Sequence, residues 1–198
     1  SNQTKTYTVS FVVVSAPTDA PNPPPTRNAW DVISLYGEAY GTEIGLANTT
    51  WDNGADSEEL TIASNKVLKV TNGTDQFIGF YIANTDGFVN ATDMTHFHAD
   101  FWIVGDYITG QTLNPTLSNH AGVIGTQTNG IVLPKAIAGD GSENETWVSV
   151  DLEIGTDDRE RIAQLLFTYS AAAGVTPDYL YFDNIYLYVT AIPETWDR

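Results

Sequence analysis

The sequence predicts an all-β protein built as an antiparallel sandwich. Short apolar or alternating segments are separated by Asn, Gly, Asp and Thr at the spacing typical of strands and turns. Only Asp157–Leu166 offers a helical turn, and the long amphipathic helices of a doubly wound α/β fold are missing. The stretch Met94–Val104 alternates without a break, as a strand with one buried face does.

The predicted strands cover most of the chain from residue 29 onward. They are Asp31–Tyr36, Glu59–Ile62, Lys66–Val70, Phe77–Ile82, Thr95–Val104, Gly122–Thr126, Ile131–Lys135, Trp147–Leu152, Gln164–Ser170 and Leu180–Tyr188. Their apolar faces are expected to form one core between two sheets. The predicted core residues are Ile33, Leu35, Leu68, Ile78, Phe80, Phe97, Phe101, Val150, Leu165, Phe167, Ile185 and Leu187.

The chain is predicted to divide into four parts. Residues 1–16 contain an alternating apolar run, which is either the last strand of a preceding module or an edge strand of the main domain. Five of the nine prolines fall between Pro17 and Pro25, which predicts an extended, semi-rigid linker over residues 17–27. The sandwich is expected to occupy residues 28–190, followed by a C-terminal tail over residues 191–198.

The two faces of Met94–Val104 differ in chemistry. One is an ordinary apolar core face. The other carries two imidazoles, a carboxylate and an indole, from His96, His98, Asp100 and Trp102. This mixture is too polar for a sandwich interior and too aromatic for a casually solvated surface. The sequence therefore predicts that this second face contacts a ligand or another surface.

Composition restricts what can bind. The chain has 198 residues, a net charge of −17 and a pI near 4.1. A surface this acidic should repel nucleic acid, anionic lipid and acidic polysaccharides, so a neutral ligand or a cation is favoured. The sequence has no run of about 18 apolar residues, so no membrane-spanning helix is predicted.

Composition also bears on location, although the absence of cysteine does not fix the compartment. Cysteine is absent, which excludes disulfides, thiolate metal sites and cysteine nucleophiles. Asn, Thr, Asp and Gly are abundant and Lys is scarce, a balance typical of an extracellular bacterial β-protein. We therefore expect an exported protein, extracellular or at the outer-membrane surface. Since no signal peptide is visible, the chain is expected to be a fragment of something longer.

Four segments, taken in order, resemble a jelly-roll carbohydrate-binding module of marine and gut Bacteroidota proteins. They are RNAWDVISLYGEAYGTEIG, MTHFHADFW, TWVSVDLEIG and LYFDNIYLY, and the resemblance covers roughly residues 28–190. Such modules sit at the end of secreted glycoside hydrolases or on surface glycan-binding lipoproteins. TYTVSFVV near the start resembles the closing strand of a PKD or other immunoglobulin-like module. The Gly- and Asn-rich segment 105–130 departs from the family pattern and leaves the ligand-facing loops open.

The resemblance implies a jelly roll that holds a neutral polysaccharide without cleaving it. A β-1,3-linked glucan such as laminarin is the first choice, and it rests on the resemblance alone. A pyranose stacks its C–H face on aromatic rings and offers hydroxyls to polar groups, which suits the mixed face with Tyr81 joining from a neighbouring strand. The predicted binding residues are Trp102, Tyr81, His98, His96, Asp100, Trp51 and Gln164. The resemblance also suggests a monomer that works with a TonB-dependent glycan uptake complex.

A structural calcium ion is predicted beside Asp183. This carboxylate lies between Phe182 and Ile185 in the most apolar predicted strand, where an unpaired charge is expensive to bury. Either a cation or several backbone amides should hold it. Jelly-roll modules of this type commonly carry Ca²⁺ between the last strand and the segment after the first. Glu38 and Asp183 are the side chains that match, with carbonyls of residues 41–43 completing an oxygen shell.

Other readings stay open. His96 and His98, at i and i+2, could ligate a transition metal with His120 or Asp100 as a third ligand. Enzyme readings lack their motifs: there is no Glu-x-Asp-x-Glu strand for a retaining glycosidase, no basic strand for a lyase and no Gly-x-Ser-x-Gly elbow. The main alternative to glycan binding is a structural or adhesive sandwich within a larger surface protein.

Overall fold

The computed structural model describes residues 15–41, 43–51, 54–71, 77–82, 87–104, 111–122, 126–138, 140–170 and 179–190. The predicted strand within residues 4–14 and the predicted tail 191–198 lie outside these ranges. Within them, the regular structure is one 3₁₀ turn, Ala29–Asp31, and eleven strands. This part of the chain therefore contains no helix that could cross a bilayer.

The eleven strands are divided between two sheets. They are β1 (Val32–Tyr36), β2 (Leu46–Asn48), β3 (Asp56–Ile62), β4 (Asn65–Thr71), β5 (Phe77–Ile82), β6 (His96–Val104), β7 (Thr112–His120), β8 (Gln127–Val132), β9 (Val148–Glu153), β10 (Ile162–Ser170) and β11 (Tyr179–Tyr188). Sheet A has the order β3-β4-β11-β6-β9, and β1 pairs with the second half of β11. Sheet B has the order β2-β5-β10-β7-β8. All pairings are antiparallel, which confirms the predicted all-β sandwich.

The core lies between the two sheets and is built from alternate residues of each strand. Phe167 of sheet B stacks on Phe182 of sheet A, with ring centroids 4.2 Å apart, and meets Phe97 edge to face at 6.4 Å. All twelve predicted core residues belong to this cluster, although Ile33 at its margin is only partly buried. Burying each large apolar side chain contributes about 1.5–3 kcal/mol, so this layer dominates the stability of the fold.

Strand β11 keeps its apolar residues inward across a β-bulge. Phe182 faces the core before the bulge and Ile185 faces it afterwards, three positions later instead of two or four. The register with β6 shifts between Asp183 and Tyr186, and Asn184 has a left-handed φ of 48°. Because side chains in a strand alternate at period two, one extra residue is needed to keep both halves of this strand in phase with the core.

One predicted element is wrong, and another lies mostly outside the described ranges. Residues 155–161 form turns and extended chain, and β10 begins at Ile162, so Asp157–Leu166 is not helical. Gly122 and Thr126 lie outside the strands, and residues 123–125 fall outside the described ranges. The strand in this region is β7, which with β2 is missing from the prediction. The other predicted strands are present, with ends shifted by at most four residues.

Strand β7 is hard to predict because it is polar and contains Pro115. It nevertheless lies inside sheet B, between β10 and β8, with Leu113 and Leu117 in the core. Proline is rare inside a sheet because it has no N–H to donate. The Pro115 carbonyl accepts the N–H of Leu133 at 2.8 Å, and Leu133 is the first residue after β8. The proline nitrogen faces the same side, where the ladder ends, so its missing donor costs little.

Arg159 ties the turn before β10 to the turn before β6. Its Nε donates to the carbonyls of Ala91 and Met94, both at 3.0 Å. Its Nη1 donates to the carbonyls of Gly155 and Asp157, at 3.2 and 2.9 Å. One planar guanidinium therefore satisfies four carbonyls on two separate turns.

Replacing Arg159 by Lys should lower the free energy of unfolding by about 1–3 kcal/mol, because an ammonium cannot reach all four carbonyls and leaves some unpaired. Urea denaturation measures this loss. Arg161→Lys is the matched control, since the Arg161 guanidinium lies 3.9 Å above the Phe88 ring and a lysine keeps a cation there. Equal losses in both variants would contradict a special role for the four carbonyl bonds.

Candidate functional site

The predicted binding residues lie on opposite faces of the sandwich. Trp102 and His98 project from β6 on the outer face of sheet A. Tyr81 and Gln164 are cross-strand partners on the outer face of sheet B, and Trp51 lies beside them over β5. The prediction that Tyr81 joins Trp102 on one face is therefore wrong. Strands β5 and β6 follow each other along the chain, but they belong to different sheets whose inner faces share one core.

The outer face of sheet A is covered by residues 15–28, the Pro-rich segment, which we call the N-terminal strap. The indole N–H of Trp102 donates to the carbonyl of Ser15 at 3.3 Å. The indole N–H of Trp147 donates to the carbonyl of Asp19 at 2.6 Å. The two indoles also pack edge to face, with centroids 5.9 Å apart. One end of the strap is therefore held by two tryptophans, of which Trp102 is a predicted binding residue.

The other end of the strap is held near the start of β6. The Arg27 guanidinium lies 3.8 Å above the ring of Tyr188, the last residue of β11. The Tyr40 hydroxyl donates to the carbonyl of Pro25 at 2.8 Å. Residues predicted as a linker thus lie against the sandwich along the length of β6, and they occupy the face that the sequence had suggested for a ligand.

His98 is at the centre of a polar network beneath the strap. Its ring stacks on Tyr186 at 4.5 Å, and Nδ1 lies 2.9 Å from Oδ1 of Asp151. Tyr188 donates its hydroxyl to the same Asp151 oxygen at 2.8 Å, and Asp100 lies 3.5 Å from His98 Nε2. Burial lowers the pKa of His98, but the hydrogen bonds with Asp100 and Asp151 outweigh burial and hold it above its ordinary value. Both ring nitrogens therefore have partners within the protein.

The histidines do not converge on one metal ion. His96 stacks on Tyr188 at 5.1 Å, and its Nδ1 lies 2.8 Å from the Thr95 hydroxyl. His120 belongs to sheet B, where its Nε2 lies 2.9 Å from the Ser118 hydroxyl. Among the residues that the structure describes, no group of three or more His, Cys, Asp or Glu side chains could hold a metal ion. The transition-metal reading therefore has no third ligand in this part of the chain.

Asn184, the extra residue of the β11 bulge, bridges two buried carboxylates. Its backbone N–H donates to Asp183 at 2.6 Å, and its side-chain amide donates to Asp100 at 2.7 Å. Asp183 also accepts a hydrogen bond from the Asn65 amide, and Asp100 accepts one from the Ser149 hydroxyl. Both carboxylates are 1% exposed, so each needs these donors. Burial, opposed by the Asn184 and Asn65 hydrogen bonds, raises the pKa of Asp183 to about 6.

The predicted calcium ligands already carry amide donors. Both oxygens of Glu38 accept the backbone N–H of Lys66, at 3.2 and 3.3 Å. A cation at Asp183 would have to displace the Asn65 amide or share the carboxylate with it. The alternative in which amides, and not a cation, hold the Asp183 carboxylate thus describes this structure. Calcium at Glu38 and Asp183 stays a prediction.

In calcium-free buffer, Asp183 should make the protein less stable as the pH rises from about 4 to about 6. Its folded pKa is raised, so the folded state binds the proton more tightly and loses that advantage as the group ionises. A shift of this size corresponds to about 3 kcal/mol. Asp183→Asn removes the charge and should flatten this part of the profile, which denaturation across the pH range measures. Asp157→Asn, at an exposed turn, is the control, and a variant profile that matches wild type would contradict the assignment.

The outer face of sheet B carries an exposed aromatic surface. Trp51 is 40% exposed, and the six-membered ring of its indole packs against Gly79 of β5. A Cβ at residue 79 would lie 3.0 Å from the Trp51 ring, so the lack of a side chain at Gly79 lets the indole pack this closely against β5. The ring of Phe77, two residues earlier, lies 5.6 Å from the Trp51 ring, and Tyr81 follows two residues later. Three aromatic side chains therefore line one edge of this face.

Polar and apolar side chains continue the surface across β10, β7 and β8. In register, Tyr81 is followed by Gln164, Ser118 and Gly130, and Gly79 by Leu166, Thr116 and Val132, which is 55% exposed. Phe77 is followed by Thr168 and Asn114. We call this surface the sheet B platform, consisting of Trp51, Phe77, Tyr81, Asn114, Thr116, Val132, Gln164, Leu166 and Thr168. Rings at one edge thus face amide and hydroxyl groups at the centre.

The platform has no formal charge. None of the described residues in the five strands of sheet B is Asp, Glu, Lys or Arg, whereas the strands of sheet A contain nine such residues. A charge-free face is unusual in a protein of net charge −17 and should repel neither neutral nor weakly polar ligands. It also offers no pair of carboxylates for glycoside hydrolysis and no cation for a uronate. The arrangement is suited to binding rather than to acid–base chemistry.

Sequence reasoning missed most of the platform. Of the platform residues, Trp51, Tyr81 and Gln164 were among the predicted binding residues. Phe77, Leu166 and the residues of β7 were not predicted. A usable signal was present, because the segments 46–48, 77–82, 112–120, 127–132 and 162–170 contain no charged residue. Strands without charge in a strongly acidic chain could have been grouped into one sheet.

Comparison with known proteins gives a fold but no family. No protein-family model and no curated protein matches the chain. Among solved structures, a family 11 carbohydrate-binding module from Clostridium thermocellum, in complex with a β-1,3-1,4-mixed-linked tetrasaccharide, matches with a TM-score of 0.52 and 15% identity. The match covers 78% of this chain and 97% of that one.

Two further solved structures match the fold of this chain. The solution structure of CtCBM11 matches with a TM-score of 0.52 and 13% identity, over 82% of this chain and 97% of that one. The CBM22-1 and GH10 modules of Clostridium thermocellum xylanase 10B, complexed with xylohexaose, match with a TM-score of 0.51 and 10% identity, over 80% of this chain and 29% of that one. The structural neighbours are carbohydrate-binding modules with a β-sandwich fold, and at these identities the likeness concerns the fold alone.

Proposed function

We propose that this chain is a non-catalytic glycan-binding module that holds a neutral polysaccharide on the sheet B platform. The observation that carries the proposal is the absence of charge from all five strands of sheet B in a chain of net charge −17. A neutral sugar can be stacked and hydrogen-bonded there without meeting a repulsive or uncompensated group. The β-sandwich neighbours, which are carbohydrate-binding modules, support the same class of ligand.

The platform matches the two surfaces of a pyranose. The exposed indole of Trp51 and the ring of Tyr81 offer flat apolar surfaces for C–H faces. Thr116 and Asn114 are partly exposed and offer a hydroxyl and an amide for the equatorial hydroxyls, whereas Gln164, beside Tyr81, is only 6% exposed. Since β-linked glucans expose both surfaces along an extended chain, we propose a β-glucan as ligand, with laminarin as the first choice. One neighbour bound to a β-1,3-1,4-mixed-linked tetrasaccharide lends support to a β-glucan, although not to one linkage.

Binding should be weak because the platform is an open sheet face. Most sugar hydroxyls would keep water on one side, so little polar surface is fully desolvated. We propose a Kd between roughly millimolar and micromolar, or about −4 to −8 kcal/mol. An affinity in this range suits a module that keeps a polymer close rather than one that sequesters a small molecule.

The proposal includes a setting at the cell surface or beside a secreted glycoside hydrolase, with a TonB-dependent uptake complex as a partner. Composition supports an exported protein, since Asn, Thr, Asp and Gly are abundant and Lys is scarce. The strap adds a geometric argument, because it covers sheet A and leaves the platform on sheet B free for a polymer.

Trp51→Ala and Tyr81→Ala should each weaken binding of laminarin by about 10-fold or more, because each removes a stacking surface from the platform. Titration calorimetry with laminarin, cello-oligosaccharides and alginate measures this. Trp102→Ala is the matched control, an indole lost from the opposite face, and should leave the affinity unchanged. Alginate should give no heat, since the platform has no cation for a uronate.

Two outcomes would contradict the proposal. Full binding by both platform variants, each still folded, would remove the platform as the site. Absence of heat with every neutral glucan would remove the ligand class and favour the structural or adhesive alternative.

We also propose that Ca²⁺ binds beside Asp183 and Glu38. The supporting observation is that Asp183 accepts the Asn65 amide while Glu38 accepts the N–H of the next residue, Lys66, so the two carboxylates lie near each other. A Ca²⁺ that binds only the folded state stabilises it by about 4 kcal/mol at roughly 1,000 times its Kd. EDTA should therefore lower the melting temperature of the wild type but not of Asp183→Asn. An unchanged wild-type melting curve, with no calcium by elemental analysis, would contradict this site.

A further inference from the structure

Strand β8, at the margin of sheet B, has one open edge. Of the described residues, only those of β7 pair with it. The N–H of Leu133, just after β8, donates to the carbonyl of Pro115 in β7 at 2.8 Å. Because alternate residues of an antiparallel strand turn their backbone groups to the same side, Ile131 also faces β7, whereas Gly130 and Val132 face away from it. The N–H and C=O groups of Gly130 and Val132 therefore point to the open edge.

The strands at the other ends of the two sheets are protected against pairing with a second chain. Charged side chains line β3, with Asp56, Glu58 and Glu59, and β9, with Asp151 and Glu153. Strand β2 has only three residues. Charges and short length are devices that keep a sheet edge from pairing. Strand β8, with the sequence QTNGIV, has six residues, no charge and no proline.

The free backbone groups of β8 are complementary to those of a second β8 strand. In an antiparallel pair that sets Gly130 opposite Val132 of a second copy, the two residues exchange two hydrogen bonds, and two-fold symmetry repeats them once. Val132 is 55% exposed and would lie beside a glycine, which has no side chain to clash with it. Pro134 has no N–H and limits the pairing to this short segment.

The distribution of charge favours β8 as the place where two copies meet. Two chains of net charge −17 repel each other. The described residues in the five strands of sheet B include no Asp, Glu, Lys or Arg, so this repulsion is smaller where two sheets B meet edge to edge. The acidic remainder of each chain still opposes the approach at longer range. The pairing should therefore be weak and should strengthen when salt screens the charges.

We propose that two copies of this chain form a weak dimer through antiparallel pairing of their β8 strands, with Gly130 of each copy opposite Val132 of the other. The two-fold axis of such a pair is perpendicular to the sheet, so two five-stranded sheets join with their platforms on the same side. At low concentration the chain is a monomer, as the resemblance implies.

The pairing does not depend on the proposed function, but its use rests on it. If the platform binds a glycan, the dimer offers one polymer two adjoining platforms. Two weak contacts on one polymer raise its apparent affinity without any new strong interaction.

Sedimentation equilibrium of the full chain, without glycan, tests the β8 dimer. The average mass should rise from 21.6 kDa toward twice that value as the concentration increases, and should rise further at higher salt. Val132→Pro removes an N–H that points to the open edge and breaks no bond to β7, so it should weaken dimerisation by about 10-fold or more. Val132→Thr is the matched control, since it keeps the N–H and a β-branched side chain and should dimerise almost as the wild type does.

Amide hydrogen exchange of the ¹⁵N-labelled wild type, followed by NMR, is a second measurement that does not depend on the folding of a variant. The amides of Gly130 and Val132 should become protected as the concentration rises. The amide of Ile131 faces β7 and should be protected at every concentration.

Three outcomes would overturn the β8 dimer. One is a mass that stays that of the monomer up to millimolar concentration. Another is a dimer that forms equally well in Val132→Pro, which would place the contact on a different surface. The third is protection of the Gly130 and Val132 amides in the monomer, which would show that another part of the same chain occupies this edge. Absence of heat with neutral glucans, while the dimer still forms, would concern only the proposed function.

Discussion

A β-sandwich has two outer faces, and the rest of this structure depends on which of them is covered and which is open. The outer face of sheet A is rich in rings, with Tyr186 and Tyr188 almost fully buried outside the main core. Such a face needs a cover, because exposed apolar patches promote association. The N-terminal strap supplies it through Trp102, Trp147 and Tyr188. The covered face is thereby lost to ligands, and the outer face of sheet B is left open.

The bulge at Asn184 serves the core and the polar network together. It keeps the two halves of β11 in phase, so that Phe182 and Ile185 both face inward. The same residue bridges the carboxylates of Asp100 and Asp183, which are directly opposite each other on neighbouring strands. Like charges in that position would destabilise the sheet without such a bridge. Burial, with a smaller contribution from the charges of Asp100 and Glu38, still raises the pKa of Asp183, so the bridge offsets only part of the cost of burying this carboxylate.

Charged residues are distributed unevenly between the two sheets. Nine charged residues lie in the strands of sheet A and none in those of sheet B, while the whole chain carries −17. The acidic field attracts cations to the rest of the surface, whereas the platform interacts through stacking and neutral hydrogen bonds. Long-range steering should therefore contribute little to capture of a neutral polymer. In the proposed function, affinity would come from several weak contacts along the platform.

Local pattern determined much of this protein. Alternation along Met94–Val104 predicted a strand with one core face, and the twelve predicted core residues do form a single cluster. The same alternation could not show which sheet a strand joins, because it distinguishes the two faces of a strand but does not identify the strands that pair with it. Tyr81 and Trp102 were thus assigned to one surface although they lie on opposite sides. Composition predicted an extended Pro-rich segment, but its position over sheet A depends on contacts between residues more than 80 positions apart, such as Ser15 with Trp102. Pairing and coverage are non-local, and only the tertiary structure decided them.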